Sequence, residues 1–196
     1  MASLSRLRAP FKLWAALALL ATPAATFAQK AKEGEVKAVA ESANITTRDK
    51  KRLTDFTADL KGAKELYLMV SDLGDNNCDW ADWVEPTLIM ADGSTKRLID
   101  LKWKSASAAH GQVTIGKNNS NGPLAVESKV YTDGIGTHAN SLIAYDLPAG
   151  VVGFKAKVGI DDGGFERGGK RSPASVRFLA FTSKPKDFPS LDMPQD

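Results

Sequence analysis

One ten-residue run of the chain, Val151–Ile160, alternates between apolar side chains and other residues with a period of two. Successive side chains of a β-strand point to opposite faces, so this pattern predicts a strand with one face in a hydrophobic core. The polar set between the apolar positions includes Lys155 and Lys157. The predicted inward set is Val152, Phe154, Ala156, Val158 and Ile160.

A second apolar run, 141–147, precedes the first one and is separated from it by Pro148-Ala149-Gly150. Proline and glycine favour tight turns, so the two runs together predict a β-hairpin. In the register of this predicted hairpin, His138 would lie opposite the end of the strand Val151–Ile160 and beside Asp161.

The remainder of the chain favours the same fold class. From Ile45 onward, short apolar runs recur between turn residues, and no stretch keeps a period of 3.6 residues. The sequence therefore predicts an all-β domain of about eight antiparallel strands, arranged as a jelly-roll β-sandwich. Further predicted strands are 65–70, as a central strand, and 97–103, 113–115, 129–132 and 176–180.

The first 28 residues have the three parts of a secretory signal peptide. Arg6, Arg8 and Lys12 precede the apolar run 13–21, and small residues follow up to Ala28. An apolar run of about nine residues is shorter than the roughly 20 needed to span a bilayer, so we expect cleavage after Ala28 and a secreted or periplasmic protein. These three basic residues account for the whole formal charge of +3, and the rest gives no reason to expect a nucleic-acid partner.

The rest of the chain divides into three parts by composition. Residues 29–43 are small or charged with no apolar stripe, and we predict a spacer there. Residues 44–183 carry the strand patterns of the sandwich, and 184–196 are predicted to be a C-terminal tail. The single cysteine, Cys78, has no intramolecular disulfide partner, so stability must come from the packed core.

The segment 71–83 is the most acidic part of the chain, with four aspartates and two tryptophans in thirteen residues. Neighbouring carboxylates repel one another unless a cation or a set of backbone donors offsets their charge. Calcium binds such oxygen ligands, and Asp72 and Asp75 are its predicted ligands here. In the alternative, the carboxylates cap turns through side-chain to backbone hydrogen bonds.

The same segment suits a sugar. A pyranose ring needs a flat apolar face for its C–H surface and a few fixed polar groups for its hydroxyls. Trp80 is the predicted exposed platform and Asp79 a predicted polar contact. Trp83 is also a candidate contact, although its position before the apolar run 84–90 favours the core.

A second candidate group joins 133–140 to 159–164 through the predicted hairpin. It supplies His138, Asn140, Asp161 and Asp162 as ligand contacts. A histidine beside a carboxylate can be a general base or a metal ligand, and it is equally a common way to satisfy a buried histidine. With no nucleophile elbow, phosphate loop or zinc spacing in the sequence, we expect no enzyme.

Six further parts of the sequence form a recognisable set: 103–106, Gly111, 130–141, 145–147, 154–162 and 175–178. The most specific of them contains Gly-Ile-Gly-Thr-His-Ala at 134–139. These blocks resemble the NPCBM domain, a carbohydrate-binding module found on glycoside hydrolases of family ninety-eight and on other exported bacterial proteins, and the resemblance extends over roughly 45–182. It implies a jelly roll related to galactose-binding-like modules, a structural Ca²⁺ in some members, and terminal galactose or related sugars as ligands.

From these observations we expect a secreted, non-catalytic, lectin-like protein with a glycan ligand. The alternative is a protein-interaction or scaffold module of a cell-envelope complex that lacks a functional sugar site. An exposed apolar patch without a concave polar site would favour that alternative.

Overall fold

The computed structural model describes residues 36–186. The predicted signal peptide, the first part of the predicted spacer and residues 187–196 of the predicted tail lie outside the described residues. No helix within 36–186 is both long and apolar enough to cross a membrane.

The described residues are built almost entirely from short antiparallel strands. The only helical elements are one turn of 3₁₀-helix, Leu98–Asp100, and one turn of α-helix, α1 (Asp162–Phe165), within the part of the chain described. The strands are β1 (Ala40–Glu41), β2 (Ile45–Thr46), β3 (Leu53–Asp59), β4 (Glu65–Ser71), β5 (Trp80–Met90), β6 (Thr95–Arg97), β7 (Ser105–Ala108), β8 (Thr114–Ile115), β9 (Leu124–Val126), β10 (Lys129–Tyr131), β11 (Gly134–His138), β12 (Ser141–Asp146), β13 (Val151–Ile160), β14 (Glu166–Arg167), β15 (Lys170–Arg171) and β16 (Ser175–Phe181).

Two antiparallel sheets form a sandwich, which confirms the predicted all-β jelly-roll class. The first sheet has the order β1-β16-β4-β12-β7, with β2 also paired to β16. The second has the order β3-β13-β5-β11-β8, with β6 paired to β5. The core between them joins residues of both sheets, among them Leu68 and Phe178 of the first and Trp83 and Phe154 of the second. The predicted central position of β4 is confirmed, because β16 and β12 flank it.

The predicted hairpin between 141–147 and Val151–Ile160 is wrong. β12 pairs with β4 and β7 in the first sheet, whereas β13 pairs with β3 and β5 in the second. The connection Pro148-Ala149-Gly150 therefore passes from one sheet to the other. An alternating pattern shows that a strand has a buried face, but two strands that face the same core from opposite sheets give the same pattern as a hairpin.

The predicted strand 97–103 is also wrong. β6 ends at Arg97, and the 3₁₀-helix follows, closed by the hydrogen bond from Leu101 N to Leu98 O at 3.0 Å. Leu98 is fully buried, while Ile99 and Trp103 are partly buried against the core. A 3₁₀ turn of three residues also brings apolar side chains to one side, so a run this short does not distinguish it from a strand.

The outer face of the second sheet is covered by a small hairpin of β9 and β10. Leu124, Val126 and Tyr131 of this hairpin pack on Leu53 and Val84 of the sheet. The loop before β9 approaches the sheet so closely that β11 needs a glycine beneath it. A Cβ on Gly136 would overlap the carbonyl oxygen of Lys117 and lie 2.5 Å from the Cα of Asn118.

We expect Gly136→Ala to destabilise the fold by about 1–3 kcal/mol, because the obstructing atoms are backbone and the loop must move. The matched control is Gly153→Ala in β13, where the added Cβ meets Ile89 Cδ1 at 3.4 Å, an ordinary contact. Urea unfolding of both variants measures the difference. Equal unfolding midpoints would contradict the close approach at Gly136.

Candidate functional site

A pocket of about 390 Å³ lies where β5 begins, at the end of the second sheet. We call it the Trp80 pocket. Its lining combines one indole, two imidazoles, amides and a thiol. The lining residues are Asn76, Asn77, Cys78, Trp80, His110, His138, Gly163, Glu166 and Arg167.

Trp80 lies at the centre of this site, between two strands. On one side it pairs with His138 of β11, and on the other its carbonyl accepts a hydrogen bond from Asp161 N at 3.1 Å. One part of its half-buried indole packs against α1, since a Cβ on Gly163 would lie 2.6 Å from the indole Cε3, and Trp80 still lines the pocket. His138 and Asp161 therefore lie on opposite sides of Trp80, with β5 between them, and not side by side as the predicted hairpin would place them.

His138 offers the pocket a hydrogen-bond acceptor. Its Nδ1 lies 2.7 Å from the carbonyl oxygen of Ala139, and a carbonyl can only accept, so Nδ1 carries the proton and donates it. Burial lowers the pKa of His138, and the nearby His110 lowers it further. The ring is therefore neutral at pH 7, and no donor within 36–186 bonds the lone pair of its Nε2.

The sequence pattern did not indicate His110, Asn76 and Cys78 as neighbours of this site. The rings of His110 and His138 meet edge to face with centroids 5.0 Å apart, and Asn76 Nδ2 lies 3.3 Å from His110 Nε2. All three lie in loops, where no periodic pattern indicates position. The one available signal was that His110 and His138 are the only histidines of the chain.

Asp161, a predicted ligand contact, is buried and bonded within the fold instead of lining the pocket. Its carboxylate accepts hydrogen bonds from Asn118 Nδ2 at 3.2 Å, Ala125 N at 2.9 Å and Gly163 N at 2.8 Å. No hydrogen bond links it to His138 among the described residues, so the histidine–carboxylate dyad considered from the sequence does not form there. Asp161 fastens the loop before β9 and the turn α1 to the sheet.

Asp162 has a similar position. It forms an ion pair with Arg52 at 3.0 Å and accepts from the backbone N–H groups of Glu127 and Ser128 at 3.1 and 2.7 Å. These contacts hold the tip of the β9–β10 hairpin, and Asp162 does not line the Trp80 pocket.

The other three predicted contacts also lie outside the pocket lining. Asp79 is fully buried, accepts from Ser175 N at 2.8 Å, and has its pKa raised to about 7 by burial. Trp83 is a fully buried core residue, as its place before an apolar run favoured. Asn140 donates through Nδ2 to Asp72 Oδ2 at 2.9 Å.

The predicted calcium ligands are engaged by hydrogen-bond donors. Asp72 accepts from Gly74 N at 2.9 Å as well as from Asn140, and Asp75 accepts from Asn77 N at 3.1 Å. Between Val36 and Lys186, no three His, Cys, Asp or Glu side chains converge as a metal site requires. These contacts fit the turn-capping alternative, and calcium binding by Asp72 and Asp75 stays a prediction.

A sequence profile of the NPCBM/NEW2 domain matches residues 30–89 and 94–193 of the chain. The two matched segments include every residue that lines the Trp80 pocket. No curated protein and no solved structure matches the chain.

Proposed function

The chain belongs to the NPCBM/NEW2 domain family, a family of carbohydrate-binding modules, and from this we propose that it is a secreted, non-catalytic protein that binds a glycan in the Trp80 pocket. We propose galactose-type or related terminal sugars as the ligand class. The observation that carries the proposal is the meeting of an indole and an unbonded imidazole acceptor in one pocket.

The chemistry of the lining suits a sugar. The indole of Trp80 offers an apolar surface for the C–H face of a pyranose, while His138 Nε2 accepts from a hydroxyl. The amides of Asn76 and Asn77 supply both donors and acceptors at the rim. A volume of about 390 Å³ falls within the range of about 300–1,000 Å³ that is usual for small-molecule sites.

The same contacts support a binding role without catalysis. His138 donates its Nδ1 proton to a backbone carbonyl. A general base would instead be expected to donate it to a carboxylate, which orients the ring and stabilises its protonated form. Asp161 is occupied by three N–H donors, from the loop before β9, from β9 itself and from α1.

A glycan-array screen of the protein, run with Ca²⁺ and with EDTA, tests the proposal. We expect selective binding of terminal sugars in the micromolar to millimolar range, about −8 to −4 kcal/mol, as for a single open pocket. The two metal conditions test the calcium prediction at Asp72 and Asp75 separately from sugar binding. A folded protein that binds no glycan would contradict the proposal.

Binding should weaken at acid pH. Protonation of His138 converts Nε2 from an acceptor to a donor, and burial lowers the pKa of His138 below its ordinary 6.5. We therefore expect constant affinity from alkaline pH down to about 6.5 and a loss below it, with one hydrogen bond worth about 0.5–1.5 kcal/mol. Isothermal titration with the sugar found on the array measures this, with circular dichroism as a control for folding. If the affinity stays constant down to the acid pH at which carboxylates titrate, the result contradicts the role of His138 as a hydrogen-bond acceptor for the ligand.

A second candidate function has its own supporting observation. An open groove of about 570 Å³ on the outer face of the first sheet is lined by apolar side chains that include Met69, Leu179 and Phe181. Such a surface suits the alternative of a protein-interaction module in a cell-envelope complex. If the array is silent, capture of a defined envelope protein that the Phe181→Ser variant fails to capture would favour this alternative.

A further inference from the structure

Asp82 is a fully buried carboxyl group for which the described residues provide no hydrogen-bond donor. Its side chain has no exposed surface, and neither of its oxygens has a partner. It lies on the outer side of β5, between Gly136 of β11 and Gly159 of β13 in the strand register. Since an ionised carboxylate without donors is very costly to bury, Asp82 needs a positive charge or a proton.

The neighbouring carboxyl group is that of Asp161. Gly136, the β11 partner of Asp82, lies against Asn118, and Asn118 Nδ2 donates to Asp161, so both carboxyl groups lie beside Asn118 on the outer side of the sheet. Asp161 accepts from three N–H donors, those of Asn118, Ala125 and Gly163. A carboxylate has about four lone-pair positions, so one position of Asp161 is left. Two ionised carboxylates cannot bond each other, whereas a proton on Asp82 would fill that position and give Asp82 its partner.

The other charged groups around Asp82 do not neutralise it. Asp162 adds a further negative charge, and its ion-pair partner Arg52 also donates to the carbonyl of Ile160. On the β11 side, His138 is neutral, and the Lys117 side chain is exposed to solvent. Lys157 on β13 is paired with Glu85. Within 36–186, the cations near Asp82 are thus engaged elsewhere or solvated.

We propose that Asp82 and Asp161 share one proton, with the Asp82 O–H donating to the Asp161 carboxylate, and that this pair positions the turn behind Trp80. The path from the pair to the pocket is short. Asp161 accepts from Gly163 N, and Gly163 lies against the Trp80 indole. Asp82 and Asp161 are therefore positioning residues, and neither contacts the ligand.

The direction of the pH effect follows from the burial of Asp82. Burial raises the pKa of Asp82 well above its ordinary value of 3.8, and the charge of Asp161 raises it further. The folded protein keeps a proton that the unfolded chain releases above about pH 4. The contribution of the Asp82 proton to the free energy of unfolding is therefore complete below about pH 4. It is lost as the pH rises toward the pKa of Asp82 in the folded state.

The test compares the full chain with its Asp82→Asn variant by urea unfolding from about pH 5 to pH 9. The amide of the variant donates to Asp161 at every pH, so the ratio of its folding constant to that of the parent should rise about tenfold per pH unit while the parent keeps its proton. Other titrating groups, Asp79 among them, are common to both proteins and cancel in the ratio. A ratio that does not change with pH would overturn the proposal.

Two further measurements test the role of Asp161 and the alternative of a bound cation. In the Asp161→Asn variant, an amide NH2 replaces one of the two oxygens that accept from three N–H donors. The urea midpoint of this variant should therefore be lower than that of the parent at every pH. Added Ca²⁺ alone should leave the midpoint of the parent unchanged, and a rise that Asp82→Asn abolishes would overturn the proposal in favour of a cation. The link to Trp80 rests on the proposed function. The unfolding measurements need no glycan, so the shared proton and the glycan-binding function can fail separately.

Discussion

Trp80→Ala is expected to weaken glycan binding by about thirtyfold or more while the domain stays folded. The indole is half-buried, lines the pocket and supplies its main apolar surface. Aromatic anchors of this kind typically contribute about 2 kcal/mol or more, which is roughly a thirtyfold loss of affinity. A ligand held at about 1 mM then falls outside the measurable range, whereas one held at about 1 µM should still bind, about thirtyfold more weakly.

The matched control for this variant is Trp103→Ala. Trp103 is also partly buried against the sandwich, but it lies outside the pocket lining. Isothermal titration of both variants against the same sugar separates loss of the site from loss of packing. The assignment of the pocket fails if Trp80→Ala binds as tightly as the parent, or if Trp103→Ala loses binding to the same extent.

The strands of the fold could be predicted where one face is buried along most of their length. β13 and β16 are examples, because burial of one face leaves a period of two in the sequence. Strand pairing could not be predicted in the same way. β12 and β13 follow each other in the chain and still lie in different sheets, since pairing depends on residues far apart in sequence.

The site was predictable to a similar extent. Trp80 and His138 could be selected by residue type, and the structure brings both to one pocket. His110 could not, because it is placed by loop contacts. Asp161 was chosen for its charge, but its surroundings depend on N–H groups of Asn118 and Ala125, more than thirty residues away. The residue type indicates the chemistry that is possible, and the long-range contacts decide whether a ligand or the fold uses it.

Two tryptophans three residues apart illustrate this division. Trp80 and Trp83 belong to the same strand, and an odd separation along a strand places them on opposite faces of the second sheet. Trp83 faces the core between the sheets, and Trp80 faces the outer side with His138. One sequence segment therefore supplies a residue for stability and a residue for binding, and substitutions at the two positions should have separate effects.

Trp83→Ala is expected to cause the largest loss of stability of any substitution considered. The side chain is fully buried and packs edge to face against Phe178 of the first sheet, at a centroid distance of 4.9 Å. It also packs against Phe56 and Phe154 of the second sheet, at 5.2 and 6.0 Å. Because Trp83 joins the two sheets, its truncation leaves a large cavity and should cost about 3–5 kcal/mol.

A loss of this size is a large part of the roughly 5–15 kcal/mol that stabilises a typical domain, so the urea midpoint should fall steeply. Trp83→Phe is the control, since it keeps most of the aromatic volume and removes an indole Nε1 that has no hydrogen-bond partner among the described residues. It should lose less than half as much stability. The fraction of Trp83→Ala that remains folded should bind glycan like the parent, because the Trp80 face is unchanged. Near-parental stability of Trp83→Ala would contradict its place at the centre of the core.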